Sequence, residues 1–247
     1  MNPLIMIPAR MAATRLPNKP LALIGGVPMI VRAYRQAEAS GLPVAVAAGD
    51  PEIVEVIEAE GGRAILTDPD LPSGSDRIRA AVDAIDPQGD FDAVINVQGD
   101  MPFASPGLAT ACAAILHGEP ACDIATLVAA EADVSDRTNP DVVKAVLALK
   151  QNDRGDVERQ GRALYFTRST LYGDGAVWRH VGVYGYRREA LNRFCAAPQS
   201  PLEKREKLEQ LRGLELGMQI WAAVIDEAPL SIDNPTDLEA ARARSFQ

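Results

Sequence analysis

Short apolar runs alternate with longer amphipathic stretches through the first half of the chain. Leu4–Ile7 is a continuous apolar run closed by Pro8, the pattern of a strand buried on both faces of a parallel sheet. Pro28–Ala39 has helical spacing and stops at Ser40-Gly41. Val44–Ala48 reads as a second buried strand. Pro51–Glu60 reads as a helix, with Asp50 placed to cap its start and Gly61-Gly62 to end it. Ala64–Leu66 is a short strand, Ser75–Ile85 a helix ending near Pro87, Ala93–Val97 a strand and Pro106–Leu116 a helix. This β-α rhythm predicts a doubly wound sheet.

The rhythm changes near residue 123. Ile124–Ala129, Val142–Leu149, Leu164–Thr167 and Val181–Tyr186 read as strands with no full helix between them, and Gln151–Gly161 as a polar turn or loop. Ser200-Pro201 opens a helix over Glu203–Leu211, with Leu202, Leu208 and Leu211 facing the core and the charges solvated. Gln219–Ile225 is a strand and Pro235–Ala243 a closing helix after Asp233 or Asn234. The expectation is one α/β domain over residues 1–247, with an antiparallel-rich segment at about 130–200 that carries an oligomer contact.

Composition narrows the partners. The chain has 25 Lys and Arg against 34 Asp and Glu, a net charge of −9. General binding to nucleic acid or to an anionic membrane needs a basic surface and is not expected. A small anion needs only a local cluster of positive charge. Cys112, Cys122 and Cys195 form no CxxC pair and read as small hydrophobes in a reducing cytosol. The N-terminal apolar run is too short for a signal core and precedes Arg10. No run approaches the ~20 apolar residues of a membrane helix. These readings point to a cytoplasmic protein.

The first strand leads into Pro8-Ala9-Arg10-Met11-Ala12-Ala13-Thr14-Arg15-Leu16-Pro17-Asn18-Lys19-Pro20. Arg10, Arg15 and Lys19 lie within ten residues with no acid between them, beyond a strand end, where open α/β sheets bind ligands. Arginine offers two-point contacts to phosphate oxygens and lysine a compact charge, so this loop suits a polyanion. Neither a P-loop nor a dinucleotide fingerprint is present. Asn96-Val97-Gln98-Gly99-Asp100-Met101-Pro102 carries Asp100 on a glycine turn after a strand, as a turn cap or as a Mg²⁺ ligand. Asp233 in Leu230–Pro235 offers a second carboxylate, as a helix cap or as a ligand. Arg179–Arg187 contains His180, one of two histidines.

Together IPARMAATRLPNKPL, SGSDR, INVQGDMP, NPDVVKAV, ALYFTR, RHVGVYGYR, SPLEKREKLEQLR and IDNPTDLE resemble the 3-deoxy-manno-octulosonate cytidylyltransferase (CMP-Kdo synthetase) family, in order from residue 7 to residue 239. The resemblance implies a nucleotidyltransferase-type three-layer α/β/α sandwich, with a mixed, mostly parallel sheet and a dimerisation segment. It implies a homodimer that, with Mg²⁺, converts CTP and the 2-keto sugar acid Kdo into CMP-Kdo and pyrophosphate for lipopolysaccharide biosynthesis. Triphosphate-binding residues carry over to Arg10, Arg15 and Lys19, and magnesium carboxylates to Asp100 and Asp233. Cytidine contacts carry over to Pro8, Ala9 and Arg10 and to the Ser73-Gly74-Ser75 turn. Sugar-acid contacts carry over to Gln98, Arg168, His180, Tyr184, Glu209 and Gln210. Two positions depart from the family's SG[ST]ER and QGDEP: Asp76 shortens one acidic arm, and Met101 removes a carboxylate beside Asp100.

Overall fold

The computed structural model describes residues 1–12, 16–130, 134–151, 154–173 and 175–244. The chain forms two compact units, Met1–Thr110 with Pro229–Gln247, and Ala111–Ala228.

The first unit contains β1 (Pro3–Ala9), β2 (Leu23–Ile24), β3 (Val27–Pro28), α1 (Met29–Glu38), β4 (Val44–Ala48), α2 (Pro51–Ala59), β5 (Ala64–Leu66), α3 (Gly74–Ile85) and β6 (Ala93–Asn96). Its four main strands run parallel in the order β5-β4-β1-β6. Ile5 stands opposite both Val44 and Ile95. Ile5, Met6, Ile7, Val46 and Ile95 are fully buried, which explains why these strands read as unbroken apolar runs. The connection after β1 leads to one side of it and β6 lies on the other. That is a topological switch, and it opens a crevice at the carboxyl ends of β1 and β6. The β2–β3 ribbon turns at Gly25 and Gly26, with φ of 56° and 77°, the left-handed pair that a tight hairpin needs.

Asp50 occupies the N-cap of α2, but its side chain makes no cap bond there. It accepts the backbone N–H of Met11 at 2.7 Å instead, tying the loop after β1 to the helix start.

Between the units in sequence runs α4 (Gly107–Gly118). The second unit then contains β7 (Ile124–Ala130), β8 (Lys144–Gln151), β9 (Val157–Thr167), β10 (Trp178–Arg187), α5 (Arg188–Ala196), α6 (Pro201–Glu206), α7 (Gln210–Glu215) and β11 (Ile220–Ile225). Its strands lie in the order β10-β7-β11-β9-β8, with only β7 and β11 parallel, and β8 also meets the start of β10. The antiparallel character expected after residue 130 is present. The last helix, α8 (Pro235–Arg244), belongs to the first unit.

Three expectations fail for physical reasons. The stretch expected as a loop at Gln151–Gly161 carries paired strand at both ends, with Gln151 opposite Val157 and Leu149 opposite Gly161. Residues 157–159 face solvent, so this ribbon needs no apolar run. Gly161 marks a close approach and not a turn: a Cβ there would lie 2.3 Å from the Ala148 carbonyl oxygen. The helix expected over Glu203–Leu211 is broken at Lys207, which adopts φ 55°. Nor are its charges all solvated. Arg212 donates to Glu203 at 2.6 and 2.8 Å, and both side chains are about 5% exposed. Removing one partner of such a pair costs about 3–5 kcal/mol because the other charge stays buried. The helix start expected at Ser200 is present as a full capping box, with Ser200 and Glu203 each accepting the other's backbone N–H.

Burial pushes the Cys112 thiol well above its usual range and that of Cys122 to about 12, which fits inert packing. No helix among the described residues is long and apolar enough to cross a membrane.

Candidate active site

The crevice of the first unit holds a cavity of about 440 Å³ whose lining includes Pro8, Ala9, Arg10, Lys19, Gln98, Asp100 and Asp233. A second cavity of about 160 Å³ shares Pro8, Ala9, Arg10 and Gln98 and adds Ser73, Gly74 and Arg77. Residues assigned from four separate segments therefore meet in one place.

Backbone geometry sets each of them. Arg10 follows the last residue of β1. Lys19 opens a single 3-10 turn, Lys19–Leu21, after Asn18 in the left-handed region at φ 56°. Gln98 and Asp100 follow β6, with Gly99 between them. A Cβ on Gly99 would lie 3.0 Å from Ile30 Cδ1 and 3.3 Å from the Pro8 carbonyl oxygen, so glycine lets the turn pack against β1. Asp233 reaches the same place from just before α8, where the Ile232 N–H donates to the Asp100 carbonyl at 3.0 Å.

Lys19 Nζ bridges the two carboxylates, 2.7 Å from Asp100 Oδ2 and 3.3 Å from Asp233 Oδ1. Asp100 Oδ1 is buried with no hydrogen-bond partner among the described residues. Burial raises the Asp100 carboxyl above its ordinary range, with Lys19 pulling it down and Asp233 adding to the rise. An orphaned carboxylate oxygen beside a second carboxylate is a hard, anionic donor set that suits Mg²⁺, which is held by one or two carboxylates together with phosphates and water. No group of three or more Asp, Glu, His or Cys suited to a metal occurs among the described residues. A site of two carboxylates leaves positions for substrate oxygens.

The alternative role for Asp233 as helix cap is excluded. Asn234 does the capping: its side-chain oxygen accepts the Asp237 N–H at 3.0 Å. The pattern Asn-x-x-Asp was a readable capping signal, and sequence reasoning missed Asp237.

At the second cavity, Ser73 caps α3. Its Oγ accepts the Asp76 N–H at 3.1 Å and donates to Asp76 Oδ2 at 2.8 Å, so the shorter acid at position 76 is held by the cap. Ser75 is buried inside the first turn. Arg77 was not anticipated. It is 2% exposed and donates to Thr67 Oγ1 at 2.6 Å and to the Asp68 and Pro69 carbonyls at 3.0 and 3.1 Å. Arg15 lies outside the described residues.

The remaining assigned residues lie in the second unit. A register shift in β10 between Val181 and Tyr184 sets His180 and Tyr184 with ring centroids 5.4 Å apart. Phe166 stacks edge-on to His180 at 5.0 Å. Thr126 Oγ1 lies 2.9 Å from the Val183 carbonyl and 3.0 Å from His180 Nε2. The hydroxyl has one proton, and donating it to Val183 leaves an acceptor for Nε2–H. Burial depresses the His180 pKa to about 3, so the ring is neutral and Nδ1 is an acceptor. Burial pushes Tyr184 far above its usual range, and the nearby Glu209 adds to the rise. Gln210 is 4% exposed, and its Nε2 has no hydrogen-bond partner among the described residues. Arg168 follows β9 and donates from Nη1 to the Pro140 and Asp141 carbonyls at 3.0 and 3.4 Å. Buried Lys144 in turn donates to the Arg168 carbonyl at 2.7 Å.

Comparison with known proteins shows the family. Residues 4–220 match the cytidylyltransferase family model. A 3-deoxy-manno-octulosonate cytidylyltransferase of Paramagnetospirillum magneticum is 51% identical over 245 residues, covering 98% of this chain and 97% of that one. One of Parvibaculum lavamentivorans is 54% identical, covering 98% and 92%. A solved CMP:2-keto-3-deoxy-manno-octonic acid synthetase complexed with CTP superposes with a TM-score of 0.90 at 34% identity, covering 100% of this chain and 99% of that one. The 4-diphosphocytidyl-2C-methyl-D-erythritol synthase of Anaerococcus prevotii shares the fold alone, with a TM-score of 0.66 at 12% identity. On these matches the chain is an enzyme with the α/β nucleotidyltransferase fold, and it belongs to the 3-deoxy-manno-octulosonate cytidylyltransferase family.

Proposed function

We propose that the chain transfers CMP from CTP to the anomeric hydroxyl of 3-deoxy-D-manno-octulosonate, releasing pyrophosphate, as a cytoplasmic homodimer that uses Mg²⁺. The observation that carries this reading is the Lys19 ammonium set between Asp100 and Asp233, in a cavity also lined by Arg10 and Gln98.

The sugar hydroxyl oxygen forms a bond to the α-phosphorus as the bond from that phosphorus to the β-phosphate oxygen breaks. The hydroxyl proton is released and pyrophosphate departs. Little covalent work falls to the protein, so positioning and electrostatics dominate. Asp100 and Asp233 would hold Mg²⁺, which when bound neutralises charge on the phosphate oxygens. Arg10, Lys19 and Arg15 bind the triphosphate and stabilise the leaving pyrophosphate. The single Lys19 ammonium offsets part of the charge of the two carboxylates, and with a divalent cation held there it would be free to face the triphosphate. The cavity beside Ser73 and Gly74 receives the cytidine. Sugar-acid contacts are assigned to Gln98 in the first unit and, separately, to Arg168, His180, Tyr184, Glu209 and Gln210 in the second, with His180 Nδ1 free to accept from a sugar hydroxyl.

Pyrophosphate release, measured for each nucleoside triphosphate against several 2-keto sugar acids, tests this. The expected result is release with CTP and 3-deoxy-D-manno-octulosonate together. Preference for an amino-substituted analogue would redefine the sugar acid used, and release only with a sialic-acid-like substrate would overturn the reading. Sedimentation of the purified protein checks the dimer.

A further inference from the structure

One carboxylate outside the cavity lining holds the main chain of a proposed metal ligand. Asp237 lies in the first turn of α8. Its Oδ2 accepts the Asp233 N–H at 2.8 Å and the Asn234 N–H at 3.1 Å. Capping accounts for the Asn234 bond, because a capping box joins the cap residue to the third helical residue. It does not account for the Asp233 bond, since that amide lies outside the helix.

The helix that carries Asp237 is fixed to the first unit. Leu238 and Ala241 pack in one buried cluster with Ile24, Met29 and Ile232. Arg242 Nε donates to the Leu23 carbonyl at 3.0 Å, and the Arg244 guanidinium sits 5.3 Å from the centre of the Phe103 ring. On the preceding side, the Ile232 N–H is bonded to the Asp100 carbonyl. The Asp233 backbone is therefore pinned from both directions. Only two side-chain torsions separate that backbone from the carboxylate facing Asp100, and supporting bonds of this kind fix where a ligand points.

We propose that Asp237 is a positioning residue for the Asp233 carboxylate, holding it at the separation from Asp100 that a divalent cation requires. The inference rests on the reading of Asp233 as a metal ligand. Asp237 has no contact with the reaction itself; it acts through the Asp233 main chain.

Mn²⁺ binding followed by electron paramagnetic resonance, with CTP present and sugar acid absent, reads this without turnover. Wild type, Asp237→Ala, Asp237→Glu and Asp233→Asn are compared, with a thermal melt of each. Asp237→Ala is expected to weaken Mn²⁺ about tenfold or more. Asp237→Glu, which restores an acceptor carboxylate, is expected to recover most of that loss. Should Asp237→Ala fail to fold, Asp237→Asn, a weaker neutral acceptor of the same shape, is expected to lose about threefold. A lowered melting temperature with Mn²⁺ affinity unchanged in the Asp237 variants, while Asp233→Asn binds weakly, would make Asp237 a helix cap and nothing more. Unchanged Mn²⁺ binding in Asp233→Asn would remove the ligand reading, and this proposal with it.

Discussion

Lys19 Nζ lies 2.7 Å from Asp100 Oδ2, so an ammonium sits against the carboxylate proposed to receive a divalent cation. Like charges cannot share that place cheaply. Nucleotide offers the ammonium another anion, which couples cation binding to CTP binding. In Lys19→Met, Mn²⁺ is expected to bind the nucleotide-free protein more tightly than in wild type, while the KM for CTP rises about tenfold or more and that for sugar acid changes little. Equal Mn²⁺ affinity in the two proteins, measured by titration, would show that the ammonium does not compete.

Asp100→Asn removes the buried charge but keeps the shape. Loss of cation stabilisation is expected to cost about 4 kcal/mol in the barrier, roughly a thousandfold in kcat/KM. The melting temperature should not fall, because the variant no longer buries a carboxylate. Asp233→Asn should also lose activity at an unchanged melting temperature, since Asn234 already caps α8. Near-normal turnover at saturating Mg²⁺ in either folded variant speaks against the metal pair.

The His180 ring is partly buried, and desolvation depresses its pKa to about 3, against 6.5 for a free imidazole. Between these values the unfolded chain binds a proton that the folded chain does not. Stability from this group is therefore complete above pH ~6.5 and is lost as pH falls toward 3. Urea unfolding across that range should show a decline in wild type that is smaller in His180→Gln. The ring's NMR resonances, identified by their loss in the variant, should not shift between pH 5 and 8; a titration in that window contradicts the neutral ring.

Arg168 tests charge against shape. Its Nη1 is engaged by the Pro140 and Asp141 carbonyls, and the proposed sugar carboxylate would meet the rest of the fork. Lysine keeps the charge and loses the two-point geometry. Arg168→Lys is expected to raise the KM for sugar acid about tenfold with CTP binding and the melting temperature held. A destabilised protein with normal sugar-acid KM assigns Arg168 to the local carbonyl bonds alone.

The sequence was most readable where burial dictates composition. Val44–Ala48 was read to the residue because a parallel strand covered on both faces has no polar positions to blur its ends; the edge strand Ala64–Leu66, with Leu66 exposed, was legible from its apolar run alone. Of the site, Arg10, Lys19, Gln98, Asp100 and Asp233 were legible as residues, and they line one cavity. What was not legible depends on contacts distant in sequence. Gly161 looks like a turn residue until the Ala148 carbonyl is placed against it. Glu203 and Arg212 look solvated until each is seen to neutralise the other. Asp50 sits where a cap belongs, yet its carboxylate serves Met11, a choice fixed only when β1 and β4 lie side by side.

The bond from the Ile232 amide to the Asp100 carbonyl has a consequence for how the chain matures. Lys19 and Asp233 are 214 residues apart. At translation rates of about 5–20 residues per second, roughly 10–40 s separate their synthesis. A nascent chain can pair β1 with β6 and bring Lys19 to Asp100 long before Asp233 exists. During that interval the ammonium neutralises a lone buried carboxylate, and a divalent cation would find one anchor instead of two. The proposed cation seat would thus be completed only when the segment before α8 docks, so that competence for chemistry would come late in folding.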